Sequence, residues 1–116
     1  MKLKILSFIV IFSIISFVLT SQNYLLNLKE VKITIKNNAA LIINQPNANG
    51  IVATSNGGIV SEGDLNRVIW KINNNTGTYT IPFWDTSRID LVYQITAAGS
   101  STGALIASTR ATGADN

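Results

Sequence analysis

The 116-residue chain contains no cysteine and no histidine, and only 13% of its residues are charged, against about 25% in an ordinary soluble domain. Without cysteine there is no disulfide framework and no thiol nucleophile. Without either residue there is no Cys/His zinc site and no Ser-His-Asp triad. Phosphate-loop, EF-hand and nucleophile-elbow signatures are also absent, and no cofactor or resident metal is expected. What remains is 47% apolar, sufficient for one small domain.

The apolar content is uneven. Lys2 and Lys4 precede residues 5–19, which are apolar except for Ser7, Ser13 and Ser16, and the chain turns polar at Thr20-Ser21-Gln22-Asn23. A charged start, an apolar stretch of about 7–15 residues and a small-residue boundary describe a secretory signal peptide. Residues 1–21 are therefore expected to be a cleaved leader, cut between Ser21 and Gln22, although Leu19 is bulky for its position. A retained anchor is the alternative. Fifteen helical residues rise about 22 Å, however, short of the roughly 30 Å hydrocarbon core. The expected partner of this segment is the export machinery, with membrane contact only if the leader stays uncleaved. The expected destination is the cell surface or the medium, across the inner membrane.

Leader removal also changes the electrostatics. The whole chain carries +3, but from residue 22 onward seven bases stand against six acids, a balance of +1. Nucleic-acid binding needs a basic stripe that displaces counterions from phosphates. None is present, so nucleic acid is excluded as a partner.

From residue 22 the chain reads as strands. Val31, Ile33 and Ile35 alternate with Lys32, Thr34 and Lys36, a period of two that separates an apolar face from a charged one. Residues 39–43 and 51–54 are further short candidates, separated by the turn sequence Gln45-Pro46-Asn47-Ala48-Asn49-Gly50. Val68, Trp70 and Ile72 share one face of the next strand, with Arg67 and Lys71 opposite and Ile69 half exposed. The Asn73-Asn74-Asn75-Thr76-Gly77 turn follows. Tyr79, Ile81 and Phe83 align beyond it, and Pro82, which has no amide donor, predicts an edge strand or a strand end. Residues 88–96 alternate cleanly, with Ile89, Leu91, Tyr93 and Ile95 on one side, and residues 104–110 form the last candidate.

About seven short strands with Asn/Gly turns and no helical periodicity predict an all-β antiparallel sandwich, Ig-like or jelly-roll-like, over residues 22–116. In it, Val68, Trp70 and Ile72 would pack against Tyr79, Ile81 and Phe83 from an adjacent antiparallel strand. A β-solenoid of short rungs is the alternative, since Asn-rich turns suit it too. No fixed-length repeat stands out, and the sandwich is preferred.

Three pieces resemble a recurring segment of known proteins: Gly58-Ile59-Val60-Ser61-Glu62-Gly63, Asn66-Arg67-Val68-Ile69-Trp70 and Thr76-Gly77-Thr78-Tyr79-Thr80-Ile81-Pro82-Phe83. Ile95-Thr96-Ala97-Ala98-Gly99 is similar as well. Together they resemble the N-terminal β-rich region of surface and secreted proteins that gliding-type bacteria export by type IX secretion systems. The resemblance implies several hundred further residues and a C-terminal sorting domain. The chain ends in Ala-Thr-Gly-Ala-Asp-Asn without the tail of that signal, so the expectation is an N-terminal fragment whose β module is truncated at its C-terminal end.

Few side chains suggest chemistry. Glycoside hydrolysis needs two carboxylates about 5–10 Å apart, and Glu62, Asp64, Asp85 and Asp90 read instead as loop acids in turn roles. The same acids could serve calcium, but no calcium-loop pattern is present. Trp70 and Tyr93 lie on apolar faces and are assigned to core packing, whereas Trp84 falls on the opposite parity beside Pro82 and Asp85. Trp84 is the one candidate ligand-binding residue, for a sugar ring stacked on its face. Asn74-Asn75-Thr76 fits a glycosylation sequon, and Asp85-Thr86-Ser87 resembles the O-glycosylation acceptor of such bacteria. The expected function is a non-catalytic, structural or adhesive β module, with surface glycans or other surface proteins as partners. A carbohydrate-binding module of a polysaccharide-processing surface protein is the alternative, and an enzyme fragment with its catalytic domain downstream is a third reading.

Overall fold

The computed structural model describes residues 24–110. The leader, the Ser21–Gln22 cleavage position and residues 111–116 lie outside the described residues. Within them the chain is all-β: β1 (Leu26–Leu28), β2 (Lys32–Thr34), β3 (Ala40–Ile43), β4 (Ile51–Ala53), β5 (Gly58–Val60), β6 (Arg67–Asn73), β7 (Gly77–Trp84), β8 (Arg88–Ile95) and β9 (Gly103–Ala107). These strands form three sheets, ordered β1-β4, β2-β5-β7-β8 and β3-β6-β9.

The pairing reveals a coil. Leu26 lies opposite Ile51, Lys32 opposite Gly58 and Ala40 opposite Arg67, all in parallel. The chain visits three strand positions in order, then visits them again one layer on, after 25, 26 and 27 residues. β7 then lies parallel to β5 through Ile59 and Phe83, 24 residues apart. From there the direction reverses. β8 folds back on β7 over eight residue pairs, and β9 runs antiparallel to β6.

The expectation of antiparallel pairing therefore holds for β7–β8 and β6–β9 and fails for the four other pairs. Alternation fixes which side of a strand is buried, but it is identical for parallel and antiparallel neighbours. Parallel neighbours need a long crossover, and here two intervening strands supply it for β1–β4, β2–β5 and β3–β6, and β6 alone for β5–β7. The offsets differ from face to face and two turns are completed, so no constant period is visible in the sequence. β1 is an element that the alternation did not reveal.

The core joins all three sheets: Leu28, Ile35, Ile43, Ile59, Val68, Trp70, Ile72, Tyr79, Ile81 and Phe83 are buried. Each such side chain stabilises the fold by about 1.5–3 kcal/mol through removal of apolar surface from water. The two expected triads do meet, but not as hairpin neighbours. β6 pairs with β3 and β9, β7 pairs with β5 and β8, and the faces touch across the core.

Pro82 is a second correction, since it is fully buried within β7, a strand paired on both sides. A Cβ on Gly58 would lie 2.9 Å from the Pro82 carbonyl oxygen, so that carbonyl, and the donorless nitrogen beside it, face β5. The β5–β7 ladder is a single residue pair long, and the missing donor costs little there. The Asn turns behave as expected. Asn37, Asn38 and Asn73 all take left-handed φ near 60°, a region Asn tolerates through its short polar side chain.

Candidate functional site

Trp84 closes β7 and pairs with Arg88 across the hairpin. It is half-buried, so the outward parity read from its sequence position holds in part. One face of its ring is covered: Lys32 Nζ sits 3.8 Å from the indole centroid. Lys32 pairs with Gly58, which lies beside Trp84. A Cβ there would come within 3.1 Å of the Trp84 Cβ. The missing side chain at Gly58 thus leaves the passage through which the lysine reaches the ring. The attraction of the ammonium for the ring quadrupole is worth about 0.5–1 kcal/mol at an exposed site. A sugar stacking on that face has to displace the ammonium.

Beside Trp84 lies a cleft of about 90 Å³ lined by Val60, Glu62, Phe83, Asp85 and Ile89, with Thr109 and Arg110 at its border. This is well below the ~300 Å³ at which ligand pockets begin. The fold therefore brings Glu62 and Asp85 to one cleft with Trp84, a convergence their sequence spacing does not show. Asp64 instead makes an exposed pair with Arg110 at 3.8 Å, and Asp90 accepts a 2.6 Å hydrogen bond from Arg88 Nε. The Arg88 Nη1 donates in addition to the carbonyl oxygens of Ala53 and Thr54 at 3.3 and 2.8 Å, tying β8 to the end of β4 and the residue after it. Among the described residues no three of Asp, Glu, His and Cys gather as metal ligands.

Thr109, which lines the cleft, is anchored by Ser61. This buried residue shares a 3.3 Å hydrogen bond with Thr109 Oγ1 and accepts another from the Thr109 amide at 3.1 Å. Gly63 N also donates to Thr109 O at 2.8 Å. The chain after β9 is pinned to the corner after β5 by these three bonds. The sequon residues Asn74 and Thr76 and the acceptor-like Asp85, Thr86 and Ser87 are all exposed.

The other aromatics separate. Trp70 is fully buried, as expected for a core residue, and so is Tyr79. Tyr93 is 52% exposed, which corrects its assignment to the core. Its parity is right, because it pairs with buried Tyr79 on the same face, but no layer covers it. Leu91, Tyr93, Leu105 and Ala107 line an apolar trough of about 130 Å³ floored by Tyr79 and Ile81. A second depression, of about 320 Å³, adjoins it and shares Tyr93 and Leu105. The trough escapes sequence reasoning because alternation shows which side chains share a face, and not whether a further layer lies over that face.

Comparison with protein-family models, with curated proteins and with solved structures finds no match to this chain. Among the described residues no helix is long and apolar enough to cross a membrane.

Proposed function

We propose that the chain is a non-catalytic β module of an exported bacterial protein, acting in structure or adhesion at the cell surface. The observation that carries this reading is the apolar trough between β8 and β9, where Leu91, Tyr93 and Ile106 are exposed, with exposed Ile89 on the same face of β8. Scattered exposed apolar residues are ordinary, but a set gathered around one trough marks a contact surface for another macromolecule. The leader-like residues 1–21 and the resemblance to type IX-exported proteins support the destination. The larger sheets facing one another across Trp70 and Tyr79 support a sandwich-like, two-layer reading, reached here by coiling.

Attachment of cells to a surface tests this reading. Deleting the gene is expected to lower attachment, and Trp84→Ala is expected to leave it unchanged. Unaltered attachment in the deletion strain overturns the proposal.

A carbohydrate-binding module is the second reading, favoured by one observation: Trp84 stands at the rim of a cleft with Glu62 and Asp85. Its signature is a soluble oligosaccharide complex that Trp84→Ala abolishes and Lys32→Ala strengthens by uncovering the ring.

A further inference from the structure

We infer that β8 pairs with β8 of a second copy of this chain, forming a two-fold dimer that closes the apolar trough. β8 is the outer strand of the four-stranded sheet and β9 the outer strand of the three-stranded one. Both carry the core face one strand beyond the core itself. Ile89, Leu91 and Tyr93 stand opposite buried Phe83, Ile81 and Tyr79, while Leu105 and Ala107 stand opposite buried Trp70 and Val68. Ile89 and Tyr93 are nevertheless more than half exposed, at 55% and 52%.

Free sheet edges are ordinarily guarded by lysine, proline, a bulge or short length. The opposite edge of the same sheet is guarded, since β2 has three residues and begins with Lys32. β8 has none of these devices. It is eight residues long and keeps an unbroken register with β7. Its two charges, Arg88 and Asp90, are paired with each other at 2.6 Å near one end. Leu91 through Ile95 is an uncharged edge.

The sequence of β8 complements itself. A two-fold axis at Val92 sets Leu91 opposite the partner's Tyr93 and Ile89 opposite the partner's Ile95, all on the inward face. On the outward face Asp90 meets the partner's Gln94, and Arg88 meets the partner's Thr96. No like charges oppose one another, and every inward residue meets an apolar one, as stabilising cross-strand pairs require. A two-fold axis perpendicular to the sheet continues the four-stranded sheet directly into its counterpart. Pairing β8 with β2 of another copy covers three residues of eight and is a head-to-tail contact that leaves an edge free for the next copy unless a ring closes. The isologous arrangement satisfies the longer edge and stops at two.

The inference deepens the surface-module reading by naming the partner, and the two fail separately. A monomer that still promotes attachment overturns the dimer alone; a dimer with no part in attachment overturns the surface role alone.

Sedimentation of the whole chain provides the test, since association driven by residues 1–21 is blind to changes at position 92. The expected result is a species of twice 12.5 kDa. Val92→Lys, at a side chain 57% exposed, is expected to raise the dissociation constant about tenfold or more by placing two like charges at the axis, with unchanged far-ultraviolet dichroism. Because the chain has no native cysteine, Val92→Cys offers a second readout and is expected to give a disulfide-linked dimer on mild oxidation. A monomeric wild type, or failure of the Val92→Cys protein to cross-link, overturns the inference.

Discussion

The rings of Trp70 and Tyr79 meet edge to face, with centroids 5.0 Å apart and planes at 86°, and their polar atoms reach neighbouring carbonyls of one loop. Trp70 Nε1 donates to Gln45 O at 2.6 Å, and the Tyr79 hydroxyl donates to Pro46 O at 2.8 Å. Asn75 Nδ2 donates to the same Pro46 oxygen at 3.2 Å. The β3–β4 loop is thus fastened to the two largest buried side chains. Edge-to-face pairs contribute about 0.5–1.5 kcal/mol beyond burial.

Removing one of these bonds is expected to loosen that loop. Tyr79→Phe keeps the ring and still leaves Pro46 O an acceptor for Asn75, so about 1 kcal/mol of stability is lost. Trp70→Phe removes volume as well as a donor and costs about 2–4 kcal/mol. Urea unfolding of both variants measures the two losses. Equal losses would show that the loop bonds, and not the packing, dominate at this site.

Alkaline pH addresses the same tyrosine. Burial pushes the Tyr79 phenol above its ordinary 10.0 by desolvating the phenolate. The unfolded chain releases this proton near 10, and the folded protein holds it longer. Stability from this group is therefore complete below about pH 10 and is lost as pH rises through the folded value. Unfolding free energy measured from pH 8 to 11 is expected to fall less steeply for Tyr79→Phe than for wild type. Identical slopes would assign the alkaline loss to other groups.

Gly57 lies where one coil turn runs close against the next. A Cβ there would overlap the Leu28 carbonyl oxygen, and it would come within 2.7 Å of the Leu28 carbonyl carbon and 3.2 Å of Val31 O. Both obstacles are backbone and have no rotamer to escape into. Gly57→Ala is expected to cost about 3 kcal/mol or more, read as a lowered melting temperature. A neutral result would mean that the turns can part without loss.

Lys32 shields Trp84, whereas Trp70 is fully buried. Acrylamide is therefore expected to quench one tryptophan readily and the other hardly at all. Lys32→Ala should increase quenching of the accessible component alone. Unchanged quenching would mean that the ammonium does not cover the ring in solution.

Export predicts a defined new N-terminus. The protein recovered from outside the cell is expected to begin at Gln22, read by terminal sequencing. A protein beginning at Met1 in the membrane fraction would instead support the anchor.

The sequence by itself determined the all-β class and which side chains of β2, β6, β7 and β8 share an apolar face, because alternation with period two depends on neighbouring residues alone. Trp70, Val68, Ile72, Tyr79, Ile81 and Phe83 were legible as core in this way, and Asn37, Asn38 and Asn73 as turns. Tertiary structure decided the direction of pairing, the neighbour of each strand and the layer above each face. Strands 25 residues apart are joined by loop closures whose cost depends only weakly on length, so local sequence does not choose between a hairpin partner and one a full turn away. Tyr93 shows the consequence. Its parity places it on the core face, and only the position of β8 at the margin of the sheet leaves it exposed.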